Sequence, residues 1–403
     1  MRTEWPSWLP SLPEGWTLAR GRIVARLVQR PPSAGEGVVT AFRDGQVTLR
    51  SNRRTDGFTE AVQEIGYQGV RAGELVIHSM DGFAGAMGVS DSDGKMSPVV
   101  HIYSVPEDNP YYVAHALRIA ARSGFIQSLA KGIRERSTSF DKPTFKDMLL
   151  PRPPRVEQNA IVTYLDRETA RVDTLIEEQR RLIEMLRERR HSIVDGVFSA
   201  NVPNVRLRNA CIDVVDCPHT TPEFSDEGKY EAVRTASVRN GKFRPGNGLP
   251  VDADTWKARN ATGAPSVGDV LFTREAPAGE ACMVPNDQIC LGQRMVLLRI
   301  DHTVCVGAFL LWQIYSDRVQ NHFLLSANGS TVANVRLPVL RTTPIWLPGL
   351  AEQRRIAAYL DEQTAKIDDL IVETEQFIEL SKERRSALIT AAVTGQIDVR
   401  ETA

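Results

Sequence analysis

Two hydrophobic patterns alternate along the chain. Residues 155–195 and 350–394 contain neither Gly nor Pro and are dense in Glu, Arg, Leu, Ile and Ala. Apolar residues recur there at heptad-like spacing, at Leu165, Val172, Leu175, Leu182, Leu186 and Ile193 and again at Leu360, Ile367, Leu370, Phe377 and Leu388. Propensity and spacing predict one helix per stretch, each about 60 Å long at ~1.5 Å per residue, with a seam that needs a partner. The two helices are therefore expected to pack on each other as an antiparallel coiled coil. Gln179 and Thr374 fall at matching seam positions, either as a locally wet stripe or as a polar pair that fixes register. Gly395 follows the second stretch where a C-cap glycine belongs.

Elsewhere the period shortens to that of strands. Residues 38–42 and 46–50 flank Asp44-Gly45 and predict a hairpin with a two-residue turn. Strand-like runs follow at 74–78 and 99–105, then a helix from Tyr111 to about Lys131. Later a turn is predicted at 238–242, strands at 268–272 and 295–300, and a helix from Val306 to about Leu325.

The second half of this order repeats the first. Glu157-Gln158, Ile161, Tyr164-Leu165-Asp166, Thr169-Ala170, Asp173 and Glu188-Arg189-Arg190 each return 195 positions later, as Glu352-Gln353 through Arg385, without a gap. Gly73 and Gly268, and Tyr111 and Val306, keep the same offset, so the whole half is duplicated. The helical letters stayed alike while those of the globular parts diverged. That pattern suits connectors that fit one kind of partner twice and globular parts that read different things. The segments expected are 1–152, 153–200, 201–347 and 348–403, in an α+β fold.

Composition adds little except in its distribution. The 403 residues, 42% hydrophobic and 25% charged, describe an ordinary soluble protein. Without a ~20-residue apolar run or a signal-like start, a cytoplasmic protein is expected. The five cysteines, Cys211, Cys217, Cys282, Cys290 and Cys305, include no CxxC pair, so free thiols are expected and no metal site. The net charge of −1 hides a partition. Residues 156–199 hold 7 basic and 9 acidic residues and 350–403 hold 7 and 11, against 20 and 16 in 1–155 and 15 and 14 in 200–349. Positive charge thus collects outside the helices, the side expected to meet nucleic acid.

No combination of nucleophile, base and orienter emerges, and neither Walker A, HExxH nor GxSxG occurs. Residues 83–88 and Asn109-Pro110-Tyr111-Tyr112 partly resemble the cofactor loop and catalytic tetrapeptide of adenine methyltransferases. The loop's second Gly is displaced and the tetrapeptide lacks its second Pro, so a Gly-rich turn and a helix start are the readings adopted. No catalytic residue and no cofactor is expected. Clusters of Arg, Lys, Asn, Ser and Thr suit phosphates and base edges. The DNA-contact candidates are Arg53 and Arg54; Lys131, Arg134, Arg136, Ser137 and Thr138; His219 and Thr220; Arg234, Thr235, Arg239 and Asn240; Arg274; and Asn328 and Ser330.

The doubled Pro-Pro-x-x-Glu-Gln-x-x-Ile-x-x-Tyr-Leu-Asp connector begins at Pro153-Pro154 and again at Pro348, where Gly349 replaces the second Pro. With the Thr-Ala-x-x-Asp that follows and the terminal Thr394-Gly395-Gln396-Ile397-Asp398, it resembles the specificity subunit of Type I restriction-modification systems. Residues 77–83 and 234–241 are similar to stretches of that family's target-recognition domains. The resemblance implies a non-catalytic reader of a split, asymmetric double-stranded DNA site. It implies two target-recognition domains separated by the helices, which set the spacing and dock adenine-N6 methyltransferase subunits, two in the family's usual pattern, together with restriction/translocase subunits. Tyr164, Asp166, Tyr359 and Asp361 are the partner-facing candidates, with packing in the helix pair as the alternative. A coiled-coil scaffold without DNA specificity is the rival reading; it leaves the duplicated basic halves unexplained.

Overall fold

The computed structural model describes residues 5–53, 65–129, 139–326 and 334–399. The chain forms two compact units, one of Met1–Glu178 with Phe377–Ala403, the other of Gln179–Gln376. The architecture is α+β. Helices Arg155–Ser199 and Leu350–Val393 are unbroken over 45 and 44 residues, and their starts differ by the repeat offset of 195.

In unit 1 the central sheet is antiparallel, in the order Arg26–Val28, Val100–Ser104, Leu75–His78, Met87–Val89. Leu75, Val76 and Ile77 are all fully buried, so both faces of that strand are covered. Each such side chain contributes about 1.5–3 kcal/mol. Helix Pro110–Arg122 packs on this sheet, and Tyr112 donates its hydroxyl to Val393 O (3.1 Å). Unit 2 repeats the sheet as Cys211–Asp216, Met295–Ile300, Val270–Thr273, Ala281–Met283. It adds a three-stranded sheet of Leu249–Val251, Tyr230–Val233 and Ile289–Leu291.

Three details depart from expectation. The first hairpin pairs Val39–Ala41 with Val47–Leu49. Its tip is a three-residue turn rather than a two-residue one, because Phe42 and Gln46 still bond across it and Gly45 takes the left-handed conformation (φ 93°) that closes it. The helix expected from Tyr111 stops at Arg122, where Ser123 and a left-handed Gly124 (φ 78°) break it before Phe125–Leu129; Lys131 lies outside the described residues. The helix expected from Val306 likewise splits into Gly307–Ile314 and Asp317–Ser326.

The third is the seam. Leu182, Leu370 and Phe377 are 37%, 47% and 43% exposed, whereas Ile176, Ile183, Val194, Ile378 and Ile389 are buried. The burial follows a strict alternation of four and three through Leu165, Thr169, Val172, Ile176, Gln179, Ile183, Leu186 and Arg190, and through Leu360, Thr364, Ile367, Ile371, Thr374, Ile378, Ser381 and Arg385. Polar residues share this frame, so counting apolar residues alone shifts it by one position. Gln179 and Thr374 do lie in it, but the Thr374 hydroxyl bonds its own helix at Leu370 O (2.6 Å).

In unit 2 the helix segments run antiparallel, as the order of their ion pairs shows. Unit 2 joins Arg190 Nε to Asp368 Oδ1 (3.0 Å) and Arg187 to Glu375 (3.5 Å). Unit 1 joins Arg385 to Asp173 Oδ2 (3.1 Å), which is the Arg190–Asp368 pair again, moved by 195. The repeated Gln is a buried clasp in both. Gln158 accepts from the Asn109 N–H (2.7 Å) and donates to Asp108 Oδ1 and Pro153 O (2.7 and 2.9 Å). Gln353 accepts from the Val306 N–H (2.8 Å) and donates to Val304 O and Pro348 O (2.8 and 2.7 Å). The second helix ends in a pair of capping bonds, Gly395 N–H to Ala392 O (3.3 Å) and Gln396 N–H to Ala391 O (2.8 Å), with Gly395 left-handed (φ 74°). No described helix is long and apolar enough to cross a membrane.

Candidate nucleic-acid interface

The best-defined candidate element is a hairpin of unit 2, Val238–Arg239 paired with Lys242–Phe243. Its turn residues, Asn240 and Gly241, have φ of 50° and 80°, the two left-handed positions of a tight type I′ turn. The turn is fixed from below. The Asn240 N–H donates to Glu280 Oε2 (2.7 Å), and the Gly241 N–H donates to the Tyr315 hydroxyl (2.8 Å). That hydroxyl also accepts from the Ala281 N–H (3.0 Å) and donates to Glu280 Oε2 (2.8 Å). Burial raises the Tyr315 hydroxyl above its ordinary range, so it stays a donor. With its backbone locked, the hairpin turns Arg239, Lys242 and Arg244 into a cleft of about 710 Å³, where Arg187, Arg190 and Asp368 come from the long helices. Lys242 reaches Asp368 Oδ2 at 2.8 Å.

Arg234 and Thr235 lie at the entry to the same hairpin. The Arg234 N–H donates to Ser237 Oγ (3.3 Å) and its guanidinium to Asn247 O (3.3 Å). His219 and Arg274 gather elsewhere in unit 2, around Asp216, and Thr220 is held by Arg259. Arg274 makes two 2.9 Å bonds to that carboxylate and is largely covered, so its charge is already met. His219 lies 3.4 Å from the same group but is exposed. Buried Arg259 holds the loop at Pro218 O and Thr220 O (3.3 and 3.2 Å) and reaches Leu291 O (2.7 Å).

In unit 1, Arg53 pairs with Asp44 (2.6 Å) and stacks over Phe42 with 4.1 Å to the ring centre. Arg54, Lys131, Arg134, Arg136, Ser137, Thr138, Asn328 and Ser330 lie outside the described residues. On the helices, Tyr164 is half-buried against the unit 1 core, with Arg167 over its ring at 5.7 Å, and Asp166 is exposed. Tyr359 is exposed, and Asp361 accepts the Trp312 indole N–H at 2.7 Å. Sequence reasoning missed Glu280, Tyr315, Asp216 and Arg259. Only the Asn240-Gly241 turn hinted that its surroundings mattered.

The methyltransferase-like residues have structural roles. Asn109 caps helix Pro110–Arg122, its side chain accepting from the Tyr111 and Tyr112 N–H groups, with Pro110 in the first turn. Residues 82–84 form a single 3₁₀ turn closed by left-handed Gly85. The five cysteines are free; burial pushes Cys211, Cys282 and Cys305 up to about 12, away from reactive thiolate.

Residues 213–380 match the family described as the Type I restriction modification DNA specificity domain. That span holds most of unit 2, including the hairpin and the cleft residues from Arg239 to Glu375. A chain from a structure of complex assembly and conformational transition of the type I R-M system is 19% identical, with 96% of this chain and 100% of that chain covered and a TM-score of 0.74. The HsdS subunit from Thermoanaerobacter tengcongensis is also 19% identical, with 96% and 99% covered and a TM-score of 0.59. Both cover the two units together. No curated protein matches the sequence.

Proposed function

We propose that the chain is the specificity subunit of a Type I restriction-modification system, the non-catalytic reader of a split, asymmetric DNA site within a cytoplasmic methyltransferase and restriction complex. The observation that carries this reading is the duplication. A DNA-specificity domain occupies most of unit 2, and the same sheet and helix clasp recur in unit 1 at an offset of 195, with different residues at the hairpin tips. Two alike frames with unlike tips suit two half-sites of unlike sequence, read by segments 1–152 and 201–347. Hydrogen bonds to base edges would supply specificity, at ~1–3 kcal/mol for each good bidentate pair, and phosphate contacts much of the affinity.

Docking of methyltransferase subunits is supported by the helix surfaces. Leu182 and Met185 are exposed in unit 2, and their counterparts Phe377 and Leu380 are exposed in unit 1. A repeated apolar pair outside the seam suits two copies of one partner, with Tyr164 and Asp166, and Tyr359 and Asp361, on the same helices. Restriction subunits would join the complex through these methyltransferases. The test is a genome-wide map of N6-methyladenine in the source strain and in a strain lacking this gene. Loss of one split, asymmetric motif is the expected result; an unchanged map in a strain whose methyltransferase gene is expressed would sink the reading.

A further inference from the structure

Both units gather cations at one pseudo-equivalent place, where the helix Arg–Asp pair faces the tip of the recognition hairpin. In unit 1 the pair is Arg385–Asp173. Helix Pro110–Arg122 adds Arg118 and Arg122, one turn apart on the same face. Arg122 reaches Ser386 Oγ beside Arg385 (3.5 Å), and Arg118 donates to Asp44 O at the hairpin tip, leaving no room for a Cβ at Gly45. The carboxylate of Asp44 is itself held by Arg53. Among the described residues Asp173 is the carboxylate paired with Arg385, whereas the neighbouring Arg118 and Arg122 guanidinium groups rest on Asp44 O and Ser386 Oγ. Burial first, and then the nearness of Arg122 and Arg385, lower Arg118 to about 10.

In unit 2 the pair is Arg190–Asp368, and here the extra cations come from the hairpin itself, Lys242 on Asp368 and Arg244 lining the same cleft. The equivalent positions of the hairpins do not match in sequence, yet both units rebuild a cationic cluster beside the same helix pair. Packing alone gives no reason for this repetition, since like charges repel.

We propose that each cluster is a seat for a DNA backbone phosphate, a sequence-neutral contact that sets the recognition hairpin in register with the half-site it reads. The proposal rests on the reading of the chain as a DNA-specificity subunit and adds the positioning contact that such reading requires. Arginine forks suit phosphate oxygens, and phosphate contacts fix orientation without carrying sequence information. An acidic segment of a partner subunit is the other anion that would fit; the hairpin tip beside the cluster favours DNA.

The test uses the full chain and two duplexes, one bearing the motif found by the methylation map and one with that motif scrambled. Binding is measured over a range of salt concentrations for the parent, for Arg122→Gln, which lies on an exposed helix face, and for Arg118→Gln/Arg122→Gln. Circular dichroism confirms that each variant stays folded. Each lost phosphate contact should lower the slope of log K against log salt by about 0.9, weakening both duplexes alike while the ratio between them holds. Lys242→Gln/Arg244→Gln should do the same from unit 2. Unchanged slopes with unchanged affinity would overturn the phosphate seats while leaving the parent's specificity intact. A variant that loses affinity only for the motif duplex would also overturn them, as base readout. A parent that does not distinguish the duplexes would remove the underlying reading as well. Full DNA binding with loss of a co-purifying methyltransferase subunit would identify the anion as the partner's and overturn the proposal.

Discussion

The helix clasps and the hairpin tips have fared oppositely since the duplication. Gln158 and Gln353 sit at the same place, buried, with the same kind of partners. The tips share only an outline. Unit 1 closes its hairpin with left-handed Gly45 under Arg118, unit 2 with Asn240-Gly241 over Tyr315 and Glu280. A buried amide with several partners leaves a sequence little latitude, whereas a solvent-facing tip needs only a compatible backbone and is free to acquire new side chains.

The comparison breaks most visibly at the clasp. Gln353→Leu removes three hydrogen bonds and strands the Val306 N–H in the interior, so a loss of about 2–4 kcal/mol is expected in thermal or denaturant unfolding. Gln158→Leu should cost a similar amount; a large difference between the two would show that the halves no longer share one frame. Tyr315→Phe comes next, at about 1–2 kcal/mol, through the donors and acceptor that meet its hydroxyl. Its sharper effect should be on function. On the proposed reading, methylation should become tolerant of changes in one half-site and stay strict for the other, as read from the motif map of a strain carrying the variant.

Acid should separate the units too. Burial holds His101 and His115 of unit 1 at about 4, against an ordinary 6.5. Their folded values lie below the unfolded ones, so the stability they contribute is complete above pH 6.5 and is lost as the pH falls towards 4. The His101→Gln variant should show a flatter decline of Tm across that window than the parent; an identical decline would mean that other groups govern it. Smallest are the helix pairs. Asp173→Asn and Asp368→Asn should each cost up to about 1 kcal/mol, with Asp368 the dearer because Lys242 also rests on it.

Much of the frame was legible in the letters. The absence of Gly and Pro marked out both long helices, which begin at Arg155 and Leu350, and the offset of 195 returned in the sheet pairings. The Asn240-Gly241 turn was readable because few residues tolerate its φ values. The seam was misread because Thr169, Thr364 and Ser381 hold positions where apolar residues were sought. The interface was hardest. Arg274 carries the same letter whether it meets DNA or, as here, Asp216 across 58 positions. Arg118 and Arg122 were passed over because what brings them beside Arg385 is tertiary: Arg122 meets Ser386 across 264 positions.

The clasps carry one more consequence. Gln353 grips backbone atoms alone, Val304 O, Val306 N and Pro348 O, and Gln158 grips two backbone groups and one carboxylate. Such a socket is nearly blind to the side chains of what is plugged into it. Any globular insert that presents a helix start at the right spot should fit, so whole inserts can be exchanged with the fastening left untouched.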